Sequence, residues 1–157
     1  MDLFSCLETL CASPSAGGIP VASKAAENLL REYAGEVRTD SLGNVFGIRR
    51  GNGDNLPMVM LEAHIDEVGF LVTSVDDEGF VRVAPCGGVD RRTLSACEIT
   101  FWADNPIHGV FCSIPPHLSS EDKDKLPEIT DMAVDVGLPA EQARELLPAG
   151  TRGTFRS

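Results

Sequence analysis

The first part of the chain alternates apolar and polar positions in a way that predicts two short helices. One apolar stripe repeats at helical spacing and stops at residues 13–14, Ser-Pro; its members are Leu3, Leu7 and Leu10. A second stripe follows Pro20, which suits the first turn of a helix; its members are Val21, Ala25, Leu29 and Tyr33. Gly35 then stands where a left-handed cap would end this second helix.

Beyond residue 37 the period changes to short β-rich runs separated by turn sequences at residues 40–44, 51–55 and 76–79. Residues 58–61, Met-Val-Met-Leu, form a continuous apolar run, as expected of a strand covered on both faces inside an α/β layer. After Gly69 the predicted strands become short and regular, which indicates a small barrel or sandwich; they cover residues 70–75, 80–84, 98–102, 107–113 and 132–136. One late helix is predicted between Pro139 and Pro148.

These patterns predict two parts. Residues 1–67 combine helices with strands and end just after the apolar run, whereas residues 68–157 form a β-rich module. No flexible linker marks the join, which favours a module inserted into another domain over two domains in series.

Charge and cysteine content narrow the class of protein. The formal net charge of -11 is spread along the chain, which argues against nucleic acid or an anionic membrane as a partner. Neither a run of about 18 apolar residues nor a positively charged start before an apolar segment is present, so we expect no spanning helix and no signal peptide. The five cysteines include no C-x-x-C pair, which suits reduced thiols. The cytoplasm is the expected location.

His64 and Asp66 are the candidate site residues. They stand two apart at the end of the apolar run, and the period of a strand would direct both side chains to one face. An imidazole can ligate Zn²⁺ or Co²⁺, and a neighbouring carboxylate can orient it. The same spacing also fits a hydrogen-bonded histidine at a strand end with an aspartate beginning a turn. The surrounding sequence has to decide between the two.

Residues 58–70, Met-Val-Met-Leu-Glu-Ala-His-Ile-Asp-Glu-Val-Gly-Phe, resemble the first active-site signature of the glutamyl, deblocking and tetrahedral aminopeptidases, a family of co-catalytic metallopeptidases. Further blocks follow that family's order along nearly the whole chain, at residues 13–15, 40–44, 79–83, 87–88, 114–118 and 134–137. The order of several blocks is a more specific signal than any one of them.

The resemblance implies an α/β fold: part of a peptidase-type α/β catalytic domain in residues 1–67, and an inserted PDZ-like β-barrel used for dimerisation in residues 68–157. It implies peptide substrates, two divalent metal ions (Zn or Co), and homo-oligomers that build from dimers towards tetrahedral dodecamers. Carried over by position, His64 would be a ligand of one metal ion and Asp66 the catalytic carboxylate that orients the metal site. Glu67 belongs to the signature without an assigned role.

The family's remaining ligands and its general base are expected later in the sequence than the inserted module, and therefore beyond residue 157. His108 and His117 are no substitutes, because both lie in the barrel module in contexts that favour surface or turn roles. Two hypotheses follow. The chain is the N-terminal portion of a metal-dependent aminopeptidase and is inactive alone, or it is a non-catalytic fragment that acts only as an oligomerisation module.

Overall fold

The computed structural model describes residues 2–113 and 127–156, so the motif at residues 114–118 and His117 lie outside the described residues. The chain divides into two compact units between Asp66 and Glu67. Within the described residues, the first unit contains two α-helices and a two-stranded sheet, and the second contains a closed barrel and one α-helix. The α/β character predicted from the sequence is therefore present.

Helix α1 spans Leu3–Cys11, as predicted, and the Asp2 side chain caps it by accepting a hydrogen bond from the Ser5 backbone N–H. Helix α2 spans Val21–Leu30 and follows Pro20, also as predicted. The predicted cap at Gly35 is wrong. The helix ends at Leu30, and the amides of Tyr33 and Ala34 bond back to the Leu30 carbonyl, so the turn closes before a left-handed residue is needed.

Strands β1 (Glu36–Thr39) and β2 (Val45–Ile48) pair as an antiparallel hairpin. Asp40 forms the turn between them, because its Oδ1 accepts hydrogen bonds from the backbone amides of Leu42 and Asn44. Gly43 has a φ of +90°, which explains why glycine stands there.

The strand predicted at residues 58–61 is wrong. Residues 49–68 contain neither helix nor strand, and all of them are exposed. Met58 and Leu61 are 97% and 94% exposed. A strand exists only when a neighbour completes its hydrogen-bond ladder, and no described strand pairs with this run. Its apolar sequence supplies the propensity for a strand but not the partner.

Among the described residues, exposed apolar side chains are concentrated in the first unit. Residues 67–113 and 127–156 of the second unit have three large ones, Val68, Val110 and Leu146, each about 40% exposed. The first unit has many more: Leu3, Phe4, Leu7, Val21, Tyr33, Leu42, Phe46, Leu56, Met58, Val59, Met60, Leu61 and Ile65. An apolar surface of this extent promotes association.

We therefore expect the chain to bind a hydrophobic dye such as ANS and to self-associate. Replacing Met58, Met60 and Leu61 together by serine should lower both dye fluorescence and light scattering, because all three residues are at least 75% exposed. Unfolding of the barrel, followed through the single tryptophan Trp102, should not change. Unchanged dye binding, or a wild-type chain that stays monomeric and binds no dye, would contradict this account.

The second unit is a closed six-stranded antiparallel barrel in the order β3-β4-β7-β6-β5-β8. Its strands are β3 (Gly69–Val75), β4 (Val81–Cys86), β5 (Glu98–Trp102), β6 (Pro106–Phe111), β7 (Val134–Asp135) and β8 (Arg152–Phe155). Of the barrel or sandwich that the sequence indicates, the structure has the barrel. Strand β8, which the sequence pattern does not predict, closes it by pairing with both β3 and β5.

The barrel core follows the two-residue period of its strands. Inward positions alternate along β3, β4 and β5 and are at most 2% exposed; they are Phe70, Val72, Val81, Val83, Ile99 and Phe101. The Phe70 ring lies 5.0 Å from that of Phe111 and 5.2 Å from that of Phe155, measured between centroids. This aromatic cluster joins three strands across the interior.

Helix α3 spans Ala140–Leu146, as predicted after Pro139. Ala143 and the following Leu147 are buried. The Arg144 guanidinium donates to the carbonyl oxygens of Val75 and Asp76, which ties the helix to the end of β3. None of the helices in the described residues is long and apolar enough to cross a membrane.

Candidate functional site

The two predicted site residues lie side by side. His64 Nδ1 is 3.0 Å from the backbone oxygen of Asp66 and 3.3 Å from its carboxylate Oδ1. The sequence predicts this proximity from the period of a strand, but the structure reaches it without one. A local contact between the imidazole and the chain two residues later holds the pair together.

This contact requires a hydrogen on Nδ1 of the imidazole ring. A carbonyl oxygen can only accept a hydrogen bond, so Nδ1 is the nitrogen that carries the hydrogen. In the neutral ring, Nε2 then keeps its lone pair, which is the form that ligates a metal ion. Histidines that bind metals commonly donate their other ring N–H to a carboxylate or a backbone carbonyl. The donor chemistry of this pair therefore fits a metal ligand with its orienting group.

The pair is open to solvent. The His64 and Asp66 side chains are 84% and 75% exposed, and they lie in the irregular stretch between β2 and the barrel. Within residues 2–113 and 127–156, no three or more His, Cys, Asp or Glu side chains are grouped so that they could hold a metal ion. At this position the described residues thus bring together one imidazole and one carboxylate, which is fewer than the three protein ligands usual in a catalytic zinc site.

His108 belongs to a different environment. It lies exposed on β6, and its Nδ1 is 3.1 Å from the hydroxyl of Thr100 on the paired strand β5. The neighbouring Trp102 donates its indole N–H to the Thr154 hydroxyl at 3.0 Å. These contacts form a polar cross-strand ladder on the barrel that the sequence patterns do not predict. They satisfy two buried threonine hydroxyls.

Comparison with known proteins identifies the family. The model of the M42 glutamyl aminopeptidase family matches residues 43–157, about three quarters of the chain. The chain belongs to the M42 glutamyl aminopeptidase family. This confirms the resemblance drawn from residues 58–70 and the ordered blocks around them.

Curated relatives of this M42 chain carry aminopeptidase names. It is 39% identical over 133 residues to the lysyl aminopeptidase of Pyrococcus furiosus, a match that covers 82% of the chain and 38% of that protein. It is 30% identical over 141 residues to the glutamyl aminopeptidase of Lactococcus lactis, covering 86% of the chain and 39% of the relative. The chain therefore spans about two fifths of the length of these relatives.

Solved structures of similar fold include TET aminopeptidases. The M42 chain superposes with a TM-score of 0.86 and 29% identity on the TET aminopeptidase of a marine-sediment Thaumarchaeota archaeon, covering 97% of the chain and 43% of that structure. The chain superposes on PhTET1-12s, a dodecamer, with a TM-score of 0.82 and 25% identity. This match covers 100% of the chain and 46% of that structure. The Pyrococcus horikoshii TET1 peptidase, at 26% identity and a TM-score of 0.75, assembles into a tetrahedron or a large octahedral shell; the match covers 99% of the chain and 47% of that structure.

Proposed function

We propose that this chain is the N-terminal portion of a metal-dependent aminopeptidase that removes N-terminal residues from peptides. Residues 1–67 would contribute part of the catalytic domain, and residues 68–157 would be the inserted module. The observation that carries the proposal is the contact of His64 Nδ1 with Asp66, 3.0 Å to the backbone oxygen and 3.3 Å to Oδ1, within a sequence that belongs to the M42 family.

His64 would ligate one of two divalent ions, Zn²⁺ or Co²⁺, through Nε2. The backbone oxygen of Asp66 accepts the Nδ1 hydrogen at 3.0 Å, and its carboxylate Oδ1 lies 3.3 Å from the same nitrogen. Asp66 would act as the catalytic carboxylate because its charge beside Nδ1 would help to keep the imidazole in one tautomer and one orientation and would raise its basicity as a ligand. When bound, two such metal ions polarise the scissile carbonyl and lower the pKa of the attacking water. The chain's own residues would thus build one corner of the site, and the other ligands and the general base would come from outside the described residues.

A chimera tests this proposal. Residues 1–157 are fused to the part of the Pyrococcus furiosus lysyl aminopeptidase that lies beyond the matched region, and release of chromophore from aminoacyl anilides is measured with Zn²⁺ or Co²⁺. We expect turnover, a loss of about 100-fold or more for His64→Ala, and a loss of about 10–100-fold for Asp66→Asn. His108→Ala should keep the activity, because this histidine is bound to Thr100 on the barrel.

Circular dichroism of each chimera separates loss of fold from loss of chemistry. A folded chimera without turnover would contradict the proposed role of this chain. So would a folded His64→Ala variant with unchanged activity. The unfused 157-residue chain is expected to give no turnover, and metal-dependent turnover by it would mean that the chain supplies the missing ligands itself.

The second candidate function is an oligomerisation module. The barrel has a hydrophobic core of its own, and structural relatives assemble into a dodecamer, a tetrahedron or an octahedral shell. We propose that a PDZ-like barrel in residues 68–157 mediates homodimerisation on the way to such a shell. Size-exclusion chromatography with light scattering would test this on the variant with serine at positions 58, 60 and 61. That variant exposes less apolar surface in the first unit, so association through the barrel is easier to detect. A dimer supports the module, and a monomer opposes it.

We further propose a cytoplasmic location. Support comes from the five cysteines, none of which is paired in a disulfide. Burial raises the pKa of the Cys97 and Cys112 thiols, which keeps both in the unreactive protonated form.

A further inference from the structure

We draw no further inference here: the strongest candidate, the exposed apolar segment at residues 56–61 between the two-stranded sheet and the barrel, carries no proposal because nothing in the structure shows what covers it.

Discussion

Replacing Phe70 by alanine should lower the free energy of unfolding of the barrel by about 3–5 kcal/mol. The Phe70 side chain is fully buried, and its ring contacts those of Phe111 and Phe155. The substitution removes this apolar area from the core and leaves a cavity that the closed barrel cannot easily collapse, because its neighbours are fixed by strand pairing on both sides of β3.

The measurement is denaturant unfolding followed by the fluorescence of Trp102, the single tryptophan, which lies on β5 of the barrel. Phe4→Ala is the matched control. It removes the same side chain from α1, where Phe4 is 75% exposed, and should change barrel stability by less than about 0.5 kcal/mol. Equal effects of the two substitutions would show that the aromatic cluster does not hold the barrel together.

Gly79→Ala should destabilise the barrel by about 3 kcal/mol through two separate causes, an unfavourable backbone conformation and a steric clash. Gly79 has a φ of +94° in the turn between β3 and β4, a conformation that costs an alanine about 1–2 kcal/mol. A Cβ there would also lie 2.6 Å from the carbonyl oxygen of Leu138 and 3.2 Å from the backbone nitrogen of Ala140. Both neighbours are backbone atoms at the start of α3, so the helix would have to shift.

Gly150→Ala separates these two causes. Gly150 has nearly the same φ, +93°, but a Cβ there meets nothing within 4 Å. Its substitution should therefore cost only the conformational part, about 1–2 kcal/mol. The difference between the two variants, measured by the same Trp102 unfolding curve, reports the steric contact with Leu138 and Ala140. If Gly150→Ala were as destabilising as Gly79→Ala, the steric contact with α3 would contribute nothing to the loss of stability.

Local signals in the sequence are sufficient for most elements of this fold. Helix α1 follows from the spacing of Leu3, Leu7 and Leu10 and from the stop at residues 13–14. The barrel strands β3 to β5 follow from alternation, because their apolar core residues recur at every second position: Phe70 and Val72, Val81 and Val83, Ile99 and Phe101. These features depend on residues that are close in sequence, so the pattern along the chain is enough to predict them.

The errors arise where the outcome depends on a distant partner. Residues 58–61 have the composition of a buried strand, yet no described strand pairs with them. Strand β8 has little alternation to reveal it. Its Gly153 packs closely on the ring of Phe101, which would lie 3.1 Å from a Cβ at that position. Both outcomes depend on tertiary contacts that periodicity does not encode.

The candidate site shows the same division. The sequence predicts that His64 and Asp66 face the same way, and their proximity is present. The sequence analysis explains this proximity by a strand with a period of two. In the structure there is no strand, and a hydrogen bond from the imidazole to the Asp66 backbone brings the two residues together. The roles of His64 as a metal ligand and of Asp66 as its orienting carboxylate remain predictions.

The most direct test of that central claim is a Co²⁺ titration of the 157-residue chain, monitored by proton NMR. The ring proton signals of its histidines are assigned with the variants His64→Ala and His108→Ala. The account predicts that the His64 signals shift at the lowest Co²⁺ concentrations, before those of His108, and that Asp66→Asn raises the concentration required. His64 signals that stay in place while those of His108 shift, or that respond no earlier than His108, would contradict it.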